Sequence, residues 1–248
     1  MKACNGEPRR LGVIGCGAIA LPVVEACAGG ALPGWMLGGV LTRSGRPTGI
    51  ACHNDTDPDS FLGRGHDLIV EAAGPAALAA HGARALAVAD VWTVSGAALA
   101  DAALLAALEA VGRQRGHRLR LLSGAIAGLD GVAMACADPE ATLTVEIDLP
   151  LASGPADQVF AGTAREAARR FPDGVNVAVA AALAGPGLDR ARVVVRRGSG
   201  RHRLALAASS RHAQVLAAVE PDVAAGMHPV AAGIIACLRR ETQIIWAG

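Results

Sequence analysis

Short runs of apolar residues alternate along this chain with longer, alanine-rich stretches of helical period, which predicts strands and helices in turn. Residues 10–14 (RLGVI) read as a strand ending at a glycine turn, followed by a helix to about Ala28. A second strand is expected at 35–42 (WMLGGVLT), and the polar stretch 43–60 reads mostly as loop. DLIVEAA at 67–73 predicts a buried strand, and Gly74-Pro75 starts a helix running to about Val88. Residues 91–97 and 118–125 read as strands on either side of a helix at 100–115. This alternation predicts an α/β fold whose N-terminal part is a doubly wound parallel sheet of the Rossmann type.

After residue 125 the rhythm changes. Strand-like pieces at 141–149, 191–197, 202–208 and 213–219 are interleaved with helical stretches at 163–170 and 174–184. A second, smaller α+β domain with an antiparallel sheet is expected. The organisation predicted is residues 1–122 as the first domain, 123–228 as the second, and a C-terminal helix in 229–248 packing back on the first.

Composition narrows what such a fold can do. At 52% hydrophobic and 18% charged, the 248 residues can bury a substantial core. A net charge of +1 and 2% aromatics, with no tyrosine, argue against a nucleic-acid partner. No apolar run reaches the length of a membrane span, the N-terminus does not read as a signal peptide, and a cytoplasmic protein is expected. The six cysteines show no metal-ligand spacing, so they read as reduced thiols and no metal is expected. Lys2 is the only lysine, which leaves proton transfer to histidine, a carboxylate or water.

Gly15-Cys16-Gly17-Ala18-Ile19-Ala20 matches G-x-G-x-x-A at the first strand–helix turn. Gly15 permits the turn, Gly17 lets a pyrophosphate approach the backbone, and Ala20 lets the helix pack closely. The amides of Ala18 and Ile19 open the helix, whose N-terminus favours an anion. Every strand of the predicted sheet ends in small residues: Thr42, Ala72-Ala73, Ser95-Gly96 and Ser123-Gly124. The second ends in Thr42-Arg43-Ser44, with Arg46 nearby and no carboxylate before Asp55. A guanidinium and two hydroxyls suit a ribose 2′-phosphate, so NADP is expected in preference to NAD.

Three further stretches resemble the aspartate dehydrogenase family, whose architecture is shared with homoserine-dehydrogenase-like proteins. They are Glu71-Ala72-Ala73, SGAIAGLD at 123–130, and FAGTAREAARRFPDGVNVAVA at 160–180. The resemblance implies that Ala125 and Asn176 contact the nicotinamide end of the cofactor. It also implies that His202 is the active-site histidine, with His212 and His228 as competitors. The substrates implied are an amino or oxo acid and ammonia, and the assembly implied is a homodimer. Two segments depart from the family pattern: TVEIDLPLA at 144–152, where a basic stretch is usual, and residues 225–230, where N-P-K-T-S is usual.

In the reaction so implied, L-aspartate is oxidised through iminosuccinate to oxaloacetate and ammonia, or the reverse. His202 would act as general acid/base towards water and the developing amine. A dicarboxylate needs cationic partners, for which Arg165, Arg169, Arg196, Arg197 and Arg201 are candidates. Asp130 is a second candidate for function, its alternative being a helix cap, and Glu71 is similarly read as structural, turned toward the crevice beside the cofactor. The competing readings are a related imine reductase or amine dehydrogenase with another substrate, and a non-catalytic NADP-binding protein.

Overall fold

The computed structural model describes residues 7–45, 49–150, 157–198, 201–222 and 226–245. Among the predicted features, Arg46, residues 151–152 and Ala225 lie outside these ranges. The chain divides into two compact units, one of residues 1–95, 102–122 and 230–248, the other of 96–101 and 123–229. The short piece 96–101 therefore belongs with the second unit, although the sequence pattern joins it to the first.

The first unit is built on β1 (Arg9–Ile14), α1 (Ala20–Ala28), β2 (Trp35–Leu41), β3 (Asn54–Asp55), α2 (Pro58–Leu62), β4 (Leu68–Glu71) and α3 (Pro75–Leu86). It continues through β5 (Asp90–Thr93), α4 (Ala102–Arg115) and β6 (Leu119–Leu121). All six strands are parallel, in the order β3-β2-β1-β4-β5-β6. Such a sheet is buried on both faces, which is why β1 and β4 read as continuous apolar runs. Leu11, Val13, Leu68, Ile69 and Val70 are at most 1% exposed. In α1 the buried residues Ala20, Val23, Val24 and Cys27 follow the helical period and form the stripe that covers the sheet.

The stretch 43–60, expected as loop, contains β3 and the start of α2. Asp57 caps α2, its carboxylate accepting from the amides of Asp59 and Ser60 at 3.3 and 2.9 Å, with Pro58 opening the helix. The last helix, α8 (Pro229–Arg240), has Ile234 and Leu238 in the first unit's core at 1% and 0% exposure. Each such side chain contributes about 1.5–3 kcal/mol by burial. Trp35 Nε1 donates to the carbonyl of Leu238 at 2.9 Å, which fixes the register of that contact.

The second unit begins with the 3₁₀ turn Gly96–Ala100 and then holds α5 (Leu129–Ala135), β7 (Thr142–Pro150), β8 (Asp157–Thr163), α6 (Ala164–Arg170) and α7 (Asn176–Ala184). Strands β9 (Arg192–Gly198), β10 (Arg203–Ser209) and β11 (Gln214–Val219) complete it. The sheet order is β11-β10-β7-β9-β8. This sheet is mixed rather than antiparallel, because β7 and β9 run parallel. Strand β8 and helix α5 escaped the sequence pattern. One face, with Leu143, Val145, Ile147, Val193 and Val195 at most 2% exposed, is covered by helices; the other carries Glu146, Asp148, Arg196 and Arg203. Thr163 caps α6 in a capping box with Glu166. Among the described residues no helix is long and apolar enough to cross a membrane.

Candidate functional site

The sheet of the first unit reverses its order at β1, whose neighbours are β2 on one side and β4 on the other. A crevice outside the C-terminal ends of strands is the consequence of such a reversal. Gly15 turns the chain there with φ +111°, a conformation that favours glycine. Its amide donates to the carbonyl of Leu41 at 2.9 Å, and the amide of Ala72 donates to that of Ile14 at 3.0 Å. A Cβ on Gly15 would stand 3.0 Å from Ala73 Cβ and 3.2 Å from the backbone of Ala72, so two strand ends meet at van der Waals contact. Gly17 is different. A Cβ built there meets nothing within 4 Å, which leaves its backbone open to a ligand.

Ala18 and Ile19 follow in the turn that leads into α1 at Ala20, which is fully buried. Two carbons that a bulkier sequence would supply are thus missing, one for packing and one for access. A helix start with an uncrowded backbone before it is a place where an anion can bind.

Glu71 ends β4 at 1% exposure and is the organising side chain of this edge. Its Oε1 accepts from the amides of Ala73 and Gly74 at 2.8 and 2.9 Å. Its Oε2 accepts from the Thr93 hydroxyl at 2.5 Å, and Thr93 Oγ1 accepts in turn from the amide of Ser95 at 3.0 Å. One buried carboxylate therefore fixes the loops after β4 and β5. Thr93 went unnoticed in the sequence, where a threonine in a strand carries no signal of a partner.

At the end of β2, Thr42 is 6% exposed and its hydroxyl bonds Asn54 Oδ1 at 3.0 Å. Arg43 and Ser44 are exposed. Asp55 is held by Arg64 in a two-pronged contact of 2.7 and 2.7 Å, which lowers its carboxyl below the usual range. The nearest acid to this strand end is thereby engaged, while the Arg43 guanidinium stays solvent-facing.

In the second unit, Asn176 opens α7 and its Oδ1 accepts from the amide of Ala97 at 2.9 Å. That bond ties α7 to the 3₁₀ turn that starts at Gly96. Gly124, at φ +65°, places the half-buried Ala125 by the same helix start, a Cβ on Gly124 meeting Val177 at 3.5 Å. Asp130 does not cap α5: the cap is Gly128 at φ +85°, and Asp130 lies exposed in the first helical turn.

His202 stands one residue before β10, where Arg203 pairs with Asp148 of β7. Burial lowers its pKa below the ordinary 6.5, the Asp148 carboxylate opposes that shift, and His228 adds to it. A histidine so placed is neutral at neutral pH and can accept a proton. His212 is exposed on the turn before β11, whereas His228, also lowered by burial, lies close enough to act on His202. Among the described residues no cluster of three or more potential ligands is placed to hold a metal ion.

Comparison with known proteins bears on both units. Residues 15–122 match the NAD-binding domain of homoserine dehydrogenase, and residues 121–228 match the C-terminal domain of aspartate dehydrogenase. L-aspartate dehydrogenase 1 of Bordetella pertussis is 38% identical over 197 residues, which cover 75% of this chain and 76% of that protein. The chain belongs to the aspartate dehydrogenase family. L-aspartate dehydrogenase of Ruegeria pomeroyi is likewise 38% identical, over 209 residues covering 76% of this chain and 74% of its own. The fold matches the crystal structure of aspartate dehydrogenase from Thermotoga maritima with a TM-score of 0.80 at 20% identity, covering 97% and 99% of the two chains.

Proposed function

We propose that this protein is an L-aspartate dehydrogenase, interconverting L-aspartate with oxaloacetate and ammonia through iminosuccinate. The reading rests on a glycine turn open at Gly17 and closed at Gly15, in a chain that has aspartate dehydrogenases as 38%-identical relatives. The first unit takes NAD or NADP, and when bound the dinucleotide supplies hydride transfer. Gly15, Gly17, Ala18 and Ile19 would hold its pyrophosphate; Ala72, Ala73, Ser95 and Gly96 would border it, and Ala125 and Asn176 would meet the nicotinamide. Thr42, Arg43 and Ser44 would receive the adenosine ribose, and the exposed Arg43 guanidinium makes NADP the preferred form.

His202 is the catalytic residue in this reading. In its neutral form it takes a proton from the water that attacks the imine, and returns one as the amine leaves. Its lowered pKa supports that role, since the base form is present across the neutral range. The enzyme would act in the cytoplasm as a homodimer. The open face of the second sheet, where Leu216 is 79% exposed beside the Glu146, Asp148, Arg196 and Arg203 charges, is the surface we assign to the twofold contact.

The test is consumption of NADPH and of NADH with oxaloacetate and ammonium, set against a panel of other oxo acids. Turnover with oxaloacetate, faster at low NADPH than at equal NADH, is expected. Turnover with a different oxo acid alone would point to a related imine reductase, and dinucleotide binding without any turnover to a non-catalytic protein.

A further inference from the structure

The departure from the family pattern at 144–152 leaves open what binds the substrate carboxylates, and five arginines were candidates. Three of them are ion-paired. Arg165 makes a two-pronged contact with Asp189 at 2.6 and 2.9 Å and donates to the carbonyl of Ala100. Arg196 meets Glu146 at 3.1 Å and Asp148 at 3.6 Å on the open face of the sheet. Arg201 lies 3.8 Å from Glu220, and Arg169, which is exposed, is not among the residues that line a cleft with Arg197.

Arg197 has no ion pair among the described residues, and it lines a cleft of about 220 Å³. The walls are the side chains of Leu149, Val195, Val175 and Phe171, with Asp173 as the other charged group. Neither Asp173 nor Asp157, the cross-strand neighbour of Arg197 on β8, forms an ion pair with it. The volume is below the roughly 300–1,000 Å³ of sites for drug-sized ligands, and it suits a small acid. Phe171 packs edge-on against Phe160 with ring centroids 5.7 Å apart.

Strand register relates this cleft to His202. Leu149 pairs with Arg197 on β9. On its other side β10 pairs Arg203 with Asp148, so the next position, His202, falls opposite Leu149. Arg197 and His202 thus flank one residue of β7, about 10 Å apart along the hydrogen-bonding direction. Residues opposite one another share a face of the sheet.

We infer that Arg197 is the specificity-determining residue of this enzyme, receiving a carboxylate of a short dicarboxylic acid in the cleft formed by Leu149, Val195 and the 171–175 loop. A guanidinium presents a planar fork to a carboxylate, and the mostly apolar residues around it leave few competing polar partners. The substrate's other end then lies towards His202. This inference deepens the aspartate reading and rests on it for the reaction, though not for the binding of the acid.

The experiment compares the wild type with Arg197→Gln and Arg197→Lys in two assays. The first is KM for oxaloacetate in reductive amination; the second is calorimetric binding of succinate with NADPH present. Arg197→Gln should raise both constants about 10- to 100-fold, as expected for losing hydrogen bonds to a charged group. Arg197→Lys should recover part of the loss, and NADPH affinity should stay within about twofold in both variants. Unchanged constants in Arg197→Gln, or a parallel loss of NADPH affinity, would overturn the assignment. Succinate binding that depends on Arg197 in a protein without oxaloacetate turnover would keep the cleft and remove the reaction. A wild type that neither binds succinate nor turns over oxaloacetate removes both.

Discussion

At the strand ends of the first unit, the polar groups are spent on the protein itself. Glu71 accepts three hydrogen bonds, Thr93 and Ser95 complete the chain, and the backbone at Gly17 is left uncrowded. At the strand ends of the second unit the reverse holds. Arg197 makes no ion pair among the described residues, and partial burial lowers the pKa of His202 against the opposing Asp148 carboxylate. In the proposed reading the first arrangement cradles the dinucleotide, and the second supplies side chains for chemistry and selection. Binding of the dinucleotide and turnover of the acid should therefore be separable by mutation.

The largest separation is expected from His202→Ala. Its kcat should fall about 10²–10⁴-fold, the usual contribution of a general acid–base group, with NADPH affinity nearly intact. Loss of dinucleotide affinity in step with kcat would show that the two regions act as one. A smaller effect, on stability instead of chemistry, is expected from Glu71→Ala. It leaves the Thr93 hydroxyl and two amides without their acceptor, at a cost of about 3 kcal/mol in urea unfolding, and it loosens the cradle. Should Glu71→Ala unfold like the wild type while losing turnover, the carboxylate would belong to the chemistry.

The smallest effect concerns pH. His202 has a lowered pKa, so protonation switches off the base only below the ordinary 6.5, and the acid limb of kcat/KM should lie beneath that value. Asp148 opposes the lowering, so Asp148→Asn should move the limb to still lower pH. A limb that rises above 6.5 in Asp148→Asn, or does not move, would separate the pH dependence from His202.

The first unit was legible because parallel strands buried on both faces announce themselves as apolar runs, and Gly15 and Gly17 stand where the turn needs them. Helix α2 was missed although Asp57-Pro58 is a readable helix start, because the surrounding polar residues suggested loop. Strand β8 lies at the sheet edge and has Phe160 as its one large apolar ring between polar and small neighbours, so no alternation marks it. The mixed character of the second sheet depends on the β7–β9 pairing, which joins strands some fifty residues apart, and local pattern carries no trace of it. The same limit applied to the site. The sequence offered five arginines, and ion pairing, cross-strand register and the lining of the cleft together distinguish Arg197 from the rest.

The central claim is that a ligand's phosphates occupy the space beside the Gly17 backbone, and the most direct measurement is calorimetric titration of NADPH into Gly17→Val beside the wild type. A Cβ there meets nothing within 4 Å, so the variant should unfold at nearly the same urea concentration as the wild type while losing saturable NADPH binding. Equal binding by a stably folded Gly17→Val, or no binding by the wild type, would contradict it.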